Sequence, residues 1–322
     1  MGAAMICIAT FHMPLDISWL PLNIFQDMLY LGVDIFLFIS GIGASHSIKS
    51  RGGKGYLAQR ARRIFPSLLP VLLVWGLCML LLGGLSLPEF FGNLTLVGWY
   101  LGQGPQLNWY FSAVWIFFLL AAALYRPLVE GKHPWWVLLG VSALSVCLLL
   151  VSPFALHPMA LARIPVFLLG MFFGRMELQG KLPERLLRGI LYPLIPMGIG
   201  LLILVFFYCN DYGSTCGLWW YPLILSTPGM VFLLGDIASL LRRSNISGKL
   251  LLPIDAIGEA SLEALMIHGG IFKIIDHCTK IYPWQWVVVM IVSLGLGVLY
   301  YRLVAKPWLL PLAKKKGSKK RA

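Results

Sequence analysis

The sequence predicts an all-α fold: a polytopic transmembrane helical bundle of about ten spans with both termini cytoplasmic. Three observations carry that expectation. Apolar residues fill 59% of the 322 positions, charged ones only 12%, and mean hydropathy is +0.81, whereas soluble domains use roughly 45–50% apolar and about 25% charged residues. The apolar residues gather in runs near the ~20 residues that cross ~30 Å of hydrocarbon at about 1.5 Å per residue. The basic residues sit in alternate connections.

Those runs place spans at roughly 1–19, 28–47, 64–82, 108–125, 134–151, 160–175, 190–209, 218–236, 257–275 and 284–304. Segments 48–63, 126–133, 175–188 and 242–249, with the tail from Arg302, hold 23 of the 26 Lys and Arg residues. Only Arg163, Lys273 and Lys280 remain for the other side. Basic loops stay in the cytoplasm, so an even number of spans puts both termini there. The net charge of +13 is then a topology signal, and nucleic acid is not an expected partner. The lipid bilayer is. The expected organisation is one integral-membrane domain over 1–304 and a basic cytoplasmic tail over 305–322, which suits an anchor at anionic headgroups.

Span one is short at its start and carries His12-Met-Pro14 beyond its middle; no basic residue precedes its apolar run and no clean cleavage site follows, so it does not read as a signal peptide. Span two carries Asp34 and Ser40-Gly41 and leads into Arg60-Ala-Arg62-Arg63-Ile-Phe-Pro66. The connection from Gly83 to Leu107 is rich in Gly, Pro, Asn and aromatics, suited to an aromatic belt or to folding over a site. Later spans contain Pro165, Pro193, Pro196, Pro222 and Pro228, tolerated in membranes where neighbours satisfy the freed backbone groups. No internal repeat of the kind that builds inverted-repeat transporters is visible. The six cysteines lack metal-ligand spacing, and no metal is expected. Cys209 and Cys216 flank an outward loop and form either a local disulfide or two free thiols.

An ionisable side chain at the bilayer centre costs about 2.5–3.5 kcal/mol on insertion scales, so each needs a partner, water or a shallow position. The candidates are His12, Asp34, Arg163, Glu259, Glu263 and His268. A neutral imidazole at position 12 suits proton abstraction from a hydroxyl, or is a satisfied core histidine. Arg60 and Arg63, three apart, share a helix face and suit a phosphate group, or are positive-inside residues. Asp34 lies early in its span, either interfacial or substrate-positioning. In Ile257-Gly-Glu259-Ala-Ser261-Leu-Glu263 through His268, Ser261 and His268 return to one helix face while Glu259 and Glu263 share another.

Together these segments resemble the integral-membrane acyltransferase family 3, ten-helix enzymes that acylate surface carbohydrates and related acceptors. The matching residues are His12, Gly32-Val-Asp34-Ile-Phe36 through Ser40-Gly41, Arg60-x-x-Arg63-Ile-x-Pro66, Asn108-Trp109-Tyr-Phe-Ser112, Phe167-Leu-Leu-Gly170 with Gly174, and Ile257-Gly258 through Ser261 to His268. The resemblance implies an acyl-CoA co-substrate, with acetyl the expected group, no bound cofactor, and a carbohydrate or glycolipid acceptor hydroxyl. It implies His12 as general base or acyl-handling residue and Arg60 and Arg63 at the CoA phosphates, with Asp34, Ser40, Ser261, His268 and Glu259 as further site candidates. The implied location is the cytoplasmic (inner) membrane. Members usually carry Arg or Lys about eleven residues before the first-helix histidine; that place falls on Met1, so either the native start lies upstream or this member lacks the charge. The alternative reading is a transporter or flippase for a glycolipid or other anionic substrate, using Glu259, Glu263 and His268 as its pathway.

Overall fold

The computed structural model describes residues 1–13, 20–104, 106–107, 109–151, 158–181, 184–215, 217–243 and 245–309. Among these residues the chain forms helices and no strands. In order they are α1 (Gly2–Phe11), α2 (Leu20–Met28), α3 (Leu31–Leu81), α4 (Leu87–Leu94), α5 (Trp109–Tyr125), α6 (Pro134–Val151), α7 (Pro158–Leu161), α8 (Ile164–Leu178), α9 (Glu184–Thr215), α10 (Tyr221–Arg242), α11 (Asn245–Glu259), α12 (Ser261–Cys278) and α13 (Pro283–Tyr300). The protein is thus an all-α, multi-pass membrane chain. Six stretches are long and apolar enough to cross a bilayer: Ile24–Leu81, Trp109–Glu130, Pro158–Leu178, Leu187–Cys209, Tyr221–Arg242 and Pro283–Leu309.

The first of these is 58 residues, about 87 Å if straight, far more than one crossing of ~30 Å. Gly52 divides it, with φ 70° and ψ 167°, a backbone conformation open to glycine and costly for other residues. Spans two and three are therefore the two limbs of α3. Of the expected span one, the described residues form α1, ten residues or about 15 Å; residues 14–19 lie outside the described set, as do Asn108, Cys216 and residues 310–322 of the tail. The disulfide expected of Cys209 with Cys216 accordingly falls outside the described residues.

The described chain packs as two compact units, each assembled from separated stretches. One unit comprises Met1–Tyr30, Gln59–Ser112 and Leu252–Ala322; the other comprises Leu31–Ala58 and Ala113–Leu251.

In the first unit α12 lies along α13, and the approach is close because Gly297 offers no side chain. A Cβ there would overlap the backbone of Ala264. Small residues let membrane helices approach in this way, where lipid is as apolar as leucine and packing must supply the attraction. Gly2 on α1 meets the Ile254 carbonyl of α11 by the same device. The Gly83–Leu107 connection is structured. Ser86 and Glu89 form a capping box at the start of α4, and buried Asn93 accepts the Leu107 N–H at 3.1 Å. Lys273 of α12 donates to the Gln106 carbonyl.

In the second unit the first limb of α3 packs on α8 through reciprocal glycines. A Cβ on Gly41 would strike the Phe167 carbonyl, and one on Gly170 the Phe38 carbonyl. Ser45, not Ser40, bonds across this contact, donating to the Met171 carbonyl at 3.0 Å. A π turn, Arg126–Glu130, continues α5, and Arg175 satisfies carbonyls near its end, donating to Leu128 and Gly131 at 3.1 and 2.8 Å.

Candidate active site

His12 caps the C-terminus of α1, where four carbonyls lack intrahelical partners. Its Nδ1 lies 2.7 Å from the Ile8 carbonyl. A carbonyl only accepts, so Nδ1 carries the hydrogen and Nε2 holds the lone pair. The chain end is tied down by Gln26 of α2, 7% exposed, whose Nε2 donates to the Thr10 and Met13 carbonyls at 3.0 and 2.5 Å. Polar groups on α2 thus fix the orientation of the histidine without touching its ring.

Around the imidazole stand Phe11, His268 and Phe272, with ring centroids 5.2, 6.4 and 6.2 Å away. Phe272 lies equally close to His268 at 6.2 Å and packs on buried Trp286 of α13 at 4.8 Å. His268 is 2% exposed. Its Nδ1 lies 2.9 Å from the Ser293 hydroxyl, and that hydroxyl donates onward to the Met290 carbonyl at 3.0 Å. The two histidines expected at the site, 256 positions apart in sequence, thus share one aromatic-walled corner.

The basic pair is arranged differently from a simple phosphate grip. Arg63 forks onto Glu263, with Nη1 to Oε1 at 2.5 Å and Nη2 to Oε2 at 2.9 Å. Its guanidinium also lies 5.7 Å over the Tyr301 ring. Glu263 is wholly buried, so this pairing supplies the partner that an intramembrane carboxylate needs. Arg60 is half-buried three positions earlier on α3.

The expected shared face of Glu259 and Glu263 does not form. Residue 260 leaves helical geometry (φ −93°, ψ 15°), ending α11 at Glu259 and starting α12 at Ser261. Glu259 is exposed at that end and Ser261 is half-buried in the first turn of α12.

Asp34 belongs to the second unit and is buried within it. It is 1% exposed, with Oδ1 3.4 Å from Nε of Arg163, itself 2% exposed. The Arg163 guanidinium lies 5.2 Å over Trp220 and Nη1 donates to the Met159 carbonyl at 3.0 Å. Ser40 lies half-buried further along the same limb of α3. The sequence shows both charges but not their pairing, nor does it single out Gln26, beside Asp27 in a segment of mixed polarity, or Ser293, a lone polar residue in an apolar run.

Helices of membrane-crossing length define a membrane protein, and within its first unit two imidazoles share one corner. A family model described as an acyltransferase domain, that of acyltransferase family 3, matches residues 2–302. The chain belongs to that family and is a membrane acyltransferase. No curated protein and no solved structure matches it.

Proposed function

We propose that this acyltransferase moves a short acyl group, acetyl in the first instance, from acyl-CoA to a hydroxyl of a glycan or glycolipid. In this reading it sits in the cytoplasmic membrane with ten spans and both termini cytoplasmic. His12 Nε2 takes the hydroxyl proton as the oxygen attacks the thioester carbon. The new C–O bond forms, the C–S bond breaks, and the departing thiolate recovers the proton from His12. The thioester is already activated, so the chain's residues orient the reactants and handle one proton. Arg60 approaches the CoA phosphates from the basic connection, together with the Arg63 N–H donors left over from its fork with Glu263. Asp34, Ser40, Ser261 and Glu259 are further candidates for acceptor positioning.

The observation that supports this reading most is the 2.7 Å contact of His12 Nδ1 with the Ile8 carbonyl. It leaves the basic nitrogen as the one turned away from the helix end, and Nε2 has no hydrogen-bond partner among the described residues. The transporter reading has lost its main support, because Glu263 is committed to Arg63 and Glu259 is exposed on another helix. The test is protein reconstituted in liposomes with acetyl-labelled acetyl-CoA and membrane glycolipids or oligosaccharides. Label appearing in a hydroxyl ester supports the proposal. Movement of acceptor across the membrane without label transfer contradicts it.

A further inference from the structure

His268 contains a buried polar atom that the scheme above does not use. Its Nε2 is inaccessible to solvent and has no hydrogen-bond partner among the described residues. Its other nitrogen is fixed: the Ser293 hydroxyl hydrogen is spent on the Met290 carbonyl, so toward His268 the oxygen can only accept. Nδ1 of His268 therefore carries the hydrogen, and Nε2 is a lone pair. Ser293 is itself fully buried on α13, so no water competes for this bond. An unpaired buried acceptor is costly, and such groups occur where chemistry needs them. The ring beside it is His12, at a centroid distance of 6.4 Å and an interplanar angle of 68°.

We infer that Ser293 is a positioning residue: by accepting Nδ1–H of His268 it keeps a lone pair, not an N–H, on Nε2 of the ring beside His12, which favours the imidazolium that His12 becomes when it takes the proton of the acceptor hydroxyl. This rests on the reading of His12 as the base. The sequence of protons is closed. The hydroxyl proton passes to Nε2 of His12, the neutral His268 ring beside it, centroid 6.4 Å away, favours the resulting imidazolium through its dipole without bonding it, and the proton then leaves on the CoA thiolate. Without Ser293 the His268 hydrogen is free to move to Nε2, which turns an acceptor into a donor facing an imidazolium.

The experiment has two arms on the full chain in lipid nanodiscs. Nitrogen-15 NMR of histidine-labelled protein, with the His268 signals assigned by their loss in His268→Asn, reports which ring nitrogen carries hydrogen. The expected result is hydrogen on Nδ1 in the native protein and a shift toward Nε2 in Ser293→Ala. Kinetically, Ser293→Ala lowers kcat about tenfold, the worth of one hydrogen bond, with the acetyl-CoA KM unchanged, and Ser293→Thr, which keeps the hydroxyl, restores most of it. Hydrogen on Nε2 of native His268 overturns the proposal, and this spectrum is readable even if Ser293→Ala does not fold. So does an unchanged kcat in a folded Ser293→Ala protein. The native spectrum bears on Ser293 whatever His12 does, whereas the activity of His12→Ala bears on His12 alone.

Discussion

Arg63 and Glu263 stand 200 positions apart in sequence and meet through two parallel N–H to O contacts of 2.5 and 2.9 Å. The carboxylate is fully buried while the guanidinium side chain keeps 26% of its surface exposed. One strand of charge thus ties the second limb of α3 to the first turn of α12, the helix that also carries His268.

Removing one partner leaves the other uncompensated. Arg63→Ala should cost about 3–5 kcal/mol, because the stranded Glu263 charge has no water to fall back on. Arg63→Leu with Glu263→Leu should cost less than the sum of the two single changes. A double-mutant cycle of thermal unfolding in detergent measures the coupling, and additivity would remove the pair from the account.

Asp34 and Arg163 make the same kind of prediction in the other unit, with both groups 2% exposed or less. Asp34→Ala leaves a buried guanidinium and should lower the unfolding temperature sharply. Asp34→Asn, which keeps an oxygen toward Arg163 Nε, should be milder. Thermal melts of the two variants in the same detergent give the ranking, and equal melts would mean that the charge of Asp34 is immaterial.

Close backbone contact predicts intolerance of added volume. Gly41→Leu should disrupt the α3–α8 contact, since the side chain would have to pass through the Phe167 carbonyl. Overpacking by a few methylenes typically costs about 1–3 kcal/mol, and backbone atoms yield less than side chains do. Gly140, with open space around it, is the matched control for Gly41. Yield of monodisperse protein for Gly41→Leu against Gly140→Leu checks this.

The α4 capping box titrates outside the membrane. Hydrogen bonds from the Ser86 hydroxyl and backbone N–H hold the Glu89 carboxyl below its ordinary 4.5. A lowered folded-state pKa means that the contribution is fully present above the ordinary value and is lost as pH falls through the lowered one. Protection factors of the Leu87–Leu94 amides, taken relative to the intrinsic exchange rate at each pH, should therefore fall on acidification below pH 4.5. Glu89→Gln should flatten that response, and an identical pH response in the variant would contradict it.

Apolar runs fall on helices, and six helical stretches are long and apolar enough to cross a bilayer, because bilayer thickness writes itself into run length. The acyltransferase assignment was legible in ordered residues from His12 to His268, which the family match over 2–302 bears out. Pairings were not legible. Nothing local to Arg63 announces a partner 200 positions away, and nothing in an apolar run distinguishes the Ser293 that bonds His268 from a hydroxyl that bonds its own helix. The break at Ala260 was hidden because Ile257 through His268 keeps a helical spacing across it. Gln26 escaped notice for a different reason: the short helix α2 lies at a span edge, where its mixed polarity reads as a connection.

The central claim is that His12 moves the proton, and the most direct measurement is the turnover of reconstituted His12→Ala with labelled acetyl-CoA and a saturating acceptor. A positioned base contributes about 10²- to 10⁴-fold, so kcat should fall by that factor while the KM for acetyl-CoA stays put. Turnover within about twofold of the native enzyme, far inside that range, would contradict the account.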